Sequence, residues 1–162
     1  MASPPRVLRM RKVLRGTLPE PDWPGGVRIK TLDRKDAKEA KAAHAVLAAG
    51  YWEGGGGAPN YAAWWPHLRK DREFDPALFF LAFDHEGCVG IVQCWTSNFI
   101  KDLAVHPRAR RRGVGTALML TVFEAFHARG APHVDLKVRE ENTIAQELYA
   151  KLGMKMIGRE LA

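Results

Sequence analysis

Residues 103–118 read Leu103-Ala104-Val105-His106-Pro107-Arg108-Ala109-Arg110-Arg111-Arg112-Gly113-Val114-Gly115-Thr116-Ala117-Leu118. An apolar, strand-like stretch ends at Val105, and a loop opened by Pro107 carries four arginines. Gly113-Val114-Gly115 then leads straight into a helix with Val114, Ala117, Leu118, Val122, Ala125 and Phe126 at helical spacing, closed by Gly130. Each part of this layout suits an anion. The first amides of a helix lack internal acceptors and lie at the positive end of its dipole. Glycines let the backbone approach a ligand without a Cβ between them. Arginines beside the loop add charge-assisted hydrogen bonds. A solvated arginine run before an ordinary helix is the plainer reading, and a lone Gly-x-Gly would leave it ahead. The order strand, arginine loop, Gly-x-Gly, apolar helix favours a pyrophosphate site.

Working outward, the pattern downstream predicts a strand over His133–Val138. A helix capped by Asn142 follows, with Ile144, Ala145, Leu148, Tyr149 and Leu152 on one face and Gly153 as its stop. Met154–Gly158 reads as the last strand. Upstream, the apolar runs Ala77–Phe83, Val89–Thr96 and Phe99–Val105 are joined by short links, His85-Glu86-Gly87 among them, and predict an antiparallel meander. Val27–Leu32 alternates as a strand does. Asp33 is expected to cap a helix through Ala37, Ala40, His44, Leu47 and Ala48, ended by Gly50. Residues 54–57 are four glycines; no Lys-Ser/Thr follows them, so they read as a mobile loop rather than a phosphate cradle. Asn60 can cap a second helix through Trp64 and Trp65, which Pro66 is expected to kink or interrupt. The order β-α-α-β-β-β-α-β-α-β implies a mixed α/β sheet with helices on its faces. Residues 1–25 read as a basic, proline-rich arm and linker, and residues 26–162 as one domain.

The 162 residues carry 25 Lys and Arg against 18 Asp and Glu, a net charge of +7. Arg6, Arg9, Arg11, Lys12 and Arg15 put +5 into residues 1–19 with no acid, and Arg108–Arg112 hold +4, so the rest carries −2. A near-neutral body with two basic foci argues against a nucleic-acid coat. No apolar run is long enough for a membrane span, and the arginines interrupt any signal-peptide-like start. Cys88 and Cys94 read as buried thiols of a reducing, cytoplasmic setting. No His, Cys or carboxylate cluster has metal-ligand spacing, so no metal is expected.

Two motifs carry a resemblance. Arg110-Arg111-Arg112-Gly113-Val114-Gly115 is similar to the coenzyme A loop of the GCN5-related N-acetyltransferase (GNAT) superfamily. Asp102-Leu103-Ala104-Val105-His106-Pro107 resembles that family's fourth strand and its exit. Asn142-Thr143-Ile144-Ala145-Gln146-Glu147-Leu148-Tyr149-Ala150-Lys151-Leu152-Gly153-Met154 resembles its Asn-x-x-Ala-x-x-Leu-Tyr-x-x-x-Gly-Phe motif, with Met154 for Phe. The resemblance covers about residues 27–160. It implies a mixed, mainly antiparallel sheet flanked by helices and an acetyl-CoA-dependent N-acetyltransferase. Compared with the family pattern, this chain is expected to lack a C-terminal seventh strand, and the Arg6–Leu14 arm is one candidate to fill that gap, in cis or from a partner.

By resemblance, the amides around Arg111, Arg112, Gly113, Val114, Gly115 and Thr116, with the Arg110 side, would hold the pyrophosphate of acetyl-CoA. Backbone groups of Leu103, Ala104 and Val105 would pair with the pantetheine arm, and an amide near Val105 would meet the developing oxyanion. Asn142 would touch the cofactor, and Tyr149 would protonate the departing thiolate. Asn142 and Tyr149 are two turns apart, so both face one groove. Asp102 is the first candidate for the base, ahead of Glu53, with Glu140 and Glu141 behind them; each also reads as an ordinary surface carboxylate. Tyr51, Trp52, Tyr61, Trp64 and Trp65 can line an acceptor wall or simply pack two helices. The acceptor is a small-molecule or peptide amine, with no nucleic acid or membrane partner, and a homodimer is compatible. A non-catalytic acyl-CoA sensor on the same fold is the alternative reading, and a nucleic-acid binder using the basic arm is a distant third.

Overall fold

The computed structural model describes residues 3–51 and 58–162. Within them the chain forms β1 (Arg6–Val13), β2 (Arg28–Thr31), α1 (Ala37–Tyr51), α2 (Tyr61–Lys70), β3 (Phe74–Asp84), β4 (Gly87–Trp95), β5 (Phe99–Val105), α3 (Val114–Ala128), β6 (His133–Arg139), α4 (Thr143–Lys151) and β7 (Lys155–Leu161). One seven-stranded sheet holds them in the order β2-β3-β4-β5-β6-β1-β7. Every neighbouring pair is antiparallel except β5 and β6.

The continuous apolar run of β3 follows from burial on both faces. Leu78, Phe80 and Ala82 join the core beneath α3, whereas Phe79 and Leu81 join the core beneath α1 and α2. Phe123 and Phe126 of α3 are essentially inaccessible; each such ring contributes about 2–3 kcal/mol by leaving water. On the other face, Ala40, Ala43 and Leu47 of α1 meet Ile91 and Ala104.

Three expectations need correction. The sheet does not lack a seventh strand: Lys155–Leu161 is a strand running beyond Gly158, and Arg6–Val13 lies between it and β6. The Arg6–Leu14 arm, one candidate for the gap, pairs in cis with both β6 and β7. The cap of α1 is Asp36, whose carboxylate accepts from the amides of Lys38 and Glu39, while Asp33 makes its own turn with Lys35. Pro66 does not interrupt α2, which runs on to Lys70. Asn60 caps that helix as expected, accepting from the Ala63 amide at 2.9 Å.

Candidate functional site

Parallel β5 and β6 are paired only at Phe99–Asp135 and Ile100–Leu136. Just beyond, the β4–β5 register slips by one residue: Gln93 faces Asp102 but Cys94 faces Ile100, leaving Lys101 as a bulge. A bulge bends its strand and strengthens its twist, and here it marks the point where β5 leaves β6. The two strands therefore open as a V. A groove of about 220 Å³ lies in the opening, lined among others by Asp102, Leu103, Ala104, Asn142 and Tyr149.

The free edge of β5 carries directed backbone groups. The His106 amide donates to the Val89 carbonyl on β4 at 2.8 Å. Amides alternate along a strand, so those of Val105 and Leu103 turn the opposite way, toward the opening. Side chains alternate as well. Ala104 belongs to the core on the α1 side and Leu103 and Val105 pack on the α3 side, which sets Asp102 on the α1 side. Tyr149 reaches the same groove from the α3 side, 9% exposed. Burial alone pushes its phenol up to about 12, with no charge or hydrogen bond contributing.

The arginine loop closes the mouth of the V. Pro107–Ala109 is one turn of 3-10 helix. Arg111 and Gly113 then adopt left-handed backbone, φ 62° and 86°. Gly113 is the N-cap of α3 and supplies no side-chain cap. After Arg110, the first amide with a backbone acceptor among the described residues is Ala117, which donates to Gly113; Arg111 through Thr116 leave theirs available. A Cβ on Gly115 would stand 3.6 Å from Val105 Cγ2 and 4.0 Å from Leu148 Cδ2, so the helix start sits between the end of β5 and α4. Arg111 and Arg112 are exposed and Arg110 half-buried. Arg108 is spent elsewhere: its guanidinium binds both oxygens of Asp84 at 2.6 and 3.1 Å and holds that carboxyl far below the usual range. The basic loop thus ties Arg108 to Asp84 and leaves Arg111 and Arg112 exposed beside the helix start.

Asn142 caps α4, its side chain accepting from the Ala145 amide at 3.2 Å. Glu140 and Glu141 are engaged by Arg159 and Arg139. Glu53, Trp52 and the four glycines lie outside the described residues, as does the Tyr51 side chain. Trp65 is buried and packs edge-on to Phe74, and Trp64 stacks on Trp65, so these two rings fasten α2 to the sheet. Both cysteines are free thiols. Burial raises Cys88 to about 12 and lifts buried Cys94 further. The described residues contain no metal-binding cluster and no helix long and apolar enough to cross a membrane.

Two positions that shape the site escaped the sequence reading. A Cβ on Gly90 would fall 2.9 Å from Val114 Cγ1 and 3.0 Å from Leu118 Cδ1, so this glycine lets α3 lie close on β4. A Cβ on Gly50 would fall 2.8 Å from Ala104 Cβ, so α1 can lie against the β5 edge. The signal for Gly90 was present, since a lone glycine inside a strand marks close approach. Gly50 reads in sequence as a helix stop, a role that does not signal the approach to Ala104.

Residues 43–154 match the profile of the acetyltransferase (GNAT) family. A mycothiol acetyltransferase of Thermobispora bispora is 32% identical, over 90% of this chain and 52% of its own length. Another of that name, from Mycolicibacterium smegmatis, is 30% identical over 96% of this chain and 55% of its own. The chain therefore spans about half the length of the curated relatives it matches. Among solved structures, a GCN5-related N-acetyltransferase from Sphaerobacter thermophilus superposes with a TM-score of 0.80 at 26% identity, covering 98% of this chain and 50% of the other.

Proposed function

The chain belongs to the acetyltransferase (GNAT) family, and on that premise we propose that it moves an acetyl group from acetyl-CoA to a primary amine by direct attack. One observation carries the reading: β5 parts from β6 after Ile100, with the uncapped start of α3 at the mouth of the opening. The residues suit the donor. Available amides from Arg111 to Thr116, with Arg110, Arg111 and Arg112 beside them, match a pyrophosphate. The inward amides of Leu103 and Val105, with Ala104 between them, match an extended chain of amides added as a strand. Asn142, at the groove wall, would contact the same arm.

Acetyl-CoA supplies an acetyl carbon already activated as a thioester. The protein's part is placement and proton traffic. The Val105 amide faces the carbonyl oxygen as negative charge develops there. Asp102, on the α1 side, takes a proton from the entering amine. Tyr149, on the opposite side, gives one to the sulfur as the carbon–sulfur bond breaks and the carbon–nitrogen bond forms. Its phenol stays protonated at any ordinary pH, so the proton to be given is in place. Cys88 and Cys94 are held as thiols, which supports direct transfer over a covalent relay.

The deciding assay measures coenzyme A thiol release over a panel of amines. Acetyl-CoA-dependent release with at least one amine, abolished in Gly113→Glu, is expected. Donor binding with no release over the panel would instead mark a non-catalytic acyl-CoA-binding module. No donor binding at all would end both readings.

A further inference from the structure

The opening between β5 and β6 has two unlike faces. Val134, Leu136 and Val138 point into the core beneath α3, so Lys137 and Arg139 point to the α1 side by strand alternation. The register fixes their neighbours. Phe99 faces Asp135 and Ile100 faces Leu136 at the closed end. Lys101 is bulged out, so Asp102 is the next residue of the β5 ladder and Lys137 the next of β6. Asp102 and Lys137 therefore stand opposite each other one step into the opening, both on the α1 side. Ala104 and Arg139 stand two residues further on, beside the Val105 amide.

Charge around this groove is uneven. Lys101, Lys137 and Arg139 line it, against a single acid, Asp102. Lys101 is exposed. Lys137 meets Glu160 of β7, and Arg139 meets Glu141 at 3.4 Å. These four side chains are 41–61% exposed. Pairs so open to water contribute little, so a well-placed ligand anion can displace the carboxylates.

The donor has no use for Lys137 and Arg139. Its pyrophosphate would lie at the start of α3, on the other face of the sheet, and its pantetheine arm is uncharged. An acceptor whose only charge is on nitrogen has no use for them either, because cations repel an ammonium. Their place beside Asp102 is accounted for by an acceptor that brings negative charge of its own.

We propose that the acceptor is a small amine with an oxyanion beside it, an amino acid or an aminoalkyl phosphate. Its nitrogen meets Asp102, and its carboxylate or phosphate is held by Lys137 and Arg139. Paired strands lie about 4.8 Å apart and these two part further along, so nitrogen and oxyanion are separated by only a few bonds. The guanidinium of Arg139 can take two oxygens at once, and Lys137 and Lys101 add point charge. The proposal deepens the acetyltransferase reading and rests on it for the reacting amine.

The test follows coenzyme A thiol release by the full chain with acetyl-CoA and matched amines: leucine and leucinamide, β-alanine and β-alaninamide, phosphoethanolamine and ethanolamine, and the diamine putrescine. At least one acidic amine should be turned over with a lower KM than its neutral partner, and the better of the carboxylate and phosphate arms identifies the oxyanion. Lys137→Gln, Arg139→Gln should lower the acidic-to-neutral ratio of kcat/KM about tenfold, through KM. The neutral partner corrects that ratio for any loss of folded protein. Arg139→Lys should keep the preference in part. An unchanged ratio, or a wild-type preference for neutral amines or putrescine, would overturn the proposal. So would an equal fall for both members of each pair, which would mean that the cations act on the amine itself. Acetyl-CoA titration of the same samples is read separately. A chain that binds no donor ends both readings, whereas donor binding without transfer to any acidic amine ends this one alone.

Discussion

Arg11 donates two hydrogen bonds, at 2.8 and 2.9 Å, to the carboxylate of Asp135, a residue only 1% exposed. That pair ties the first strand of the chain to the strand that forms one arm of the V. Arg9 adds a third bond at 2.9 Å. Burial raises the Asp135 carboxyl, but the bonds from Arg11 and Arg9 outweigh it and hold the group below its ordinary 3.8.

Removing both arginines leaves that buried carboxylate without a partner. Arg9→Ala, Arg11→Ala should lower the urea midpoint at pH 7 clearly, and either single variant much less, because one guanidinium still meets the carboxylate and both are partly exposed. The sign with pH is fixed. A depressed folded value stabilises above the unfolded one, and the benefit disappears as pH falls through the folded value. The difference between wild type and the double variant should therefore shrink below pH 3.8.

Tyr149→Phe removes the proposed donor of a proton to sulfur while leaving the ring in the core. The expected result is a fall in kcat of about 10²-fold with acetyl-CoA affinity little changed. Since the phenol sits near 12, wild-type kcat should show no alkaline loss attributable to this residue up to about pH 10.

Asp102→Asn keeps the shape of the groove and removes the proposed base. It should lower kcat/KM for the amine by about 10²-fold. Raising the pH supplies more unprotonated amine and should recover part of the loss. A rate equal to wild type at neutral pH would transfer the base role elsewhere.

Gly90→Ala and Gly50→Ala test whether two close approaches shape the V. Each introduces a Cβ within 3.0 Å of a neighbour. Overpacking of this kind costs about 1–3 kcal/mol. Gly90→Ala pushes on Val114 at the start of α3, so it should also weaken acetyl-CoA binding, which a calorimetric titration would register.

The sequence reading found the fold through local features. The arginine loop, the Gly113-Val114-Gly115 entry to the helix and the Asn142 cap stand where their spacing puts them, because each is a short-range backbone requirement. The elements of the meander were likewise legible, since two-sided burial writes itself as continuous apolar runs. What escaped was long-range. The alternation of Arg9 and Arg11 marks one face of a strand, but only the partner Asp135, 124 residues beyond Arg11, turns it into an interior position. The β5–β6 opening also depends on a one-residue register slip at Lys101, which composition does not record. Arg108 looked like its three neighbours until Asp84, from another hairpin, claimed it.

The central claim is that the opening between β5 and β6, capped by the start of α3, is a donor site. Isothermal titration of the chain with acetyl-CoA tests it most directly. Saturable, one-site binding in the micromolar range or tighter, lost in Gly113→Glu, is the predicted result. Heats no larger than dilution, or wild-type binding by the Gly113→Glu protein, would contradict it.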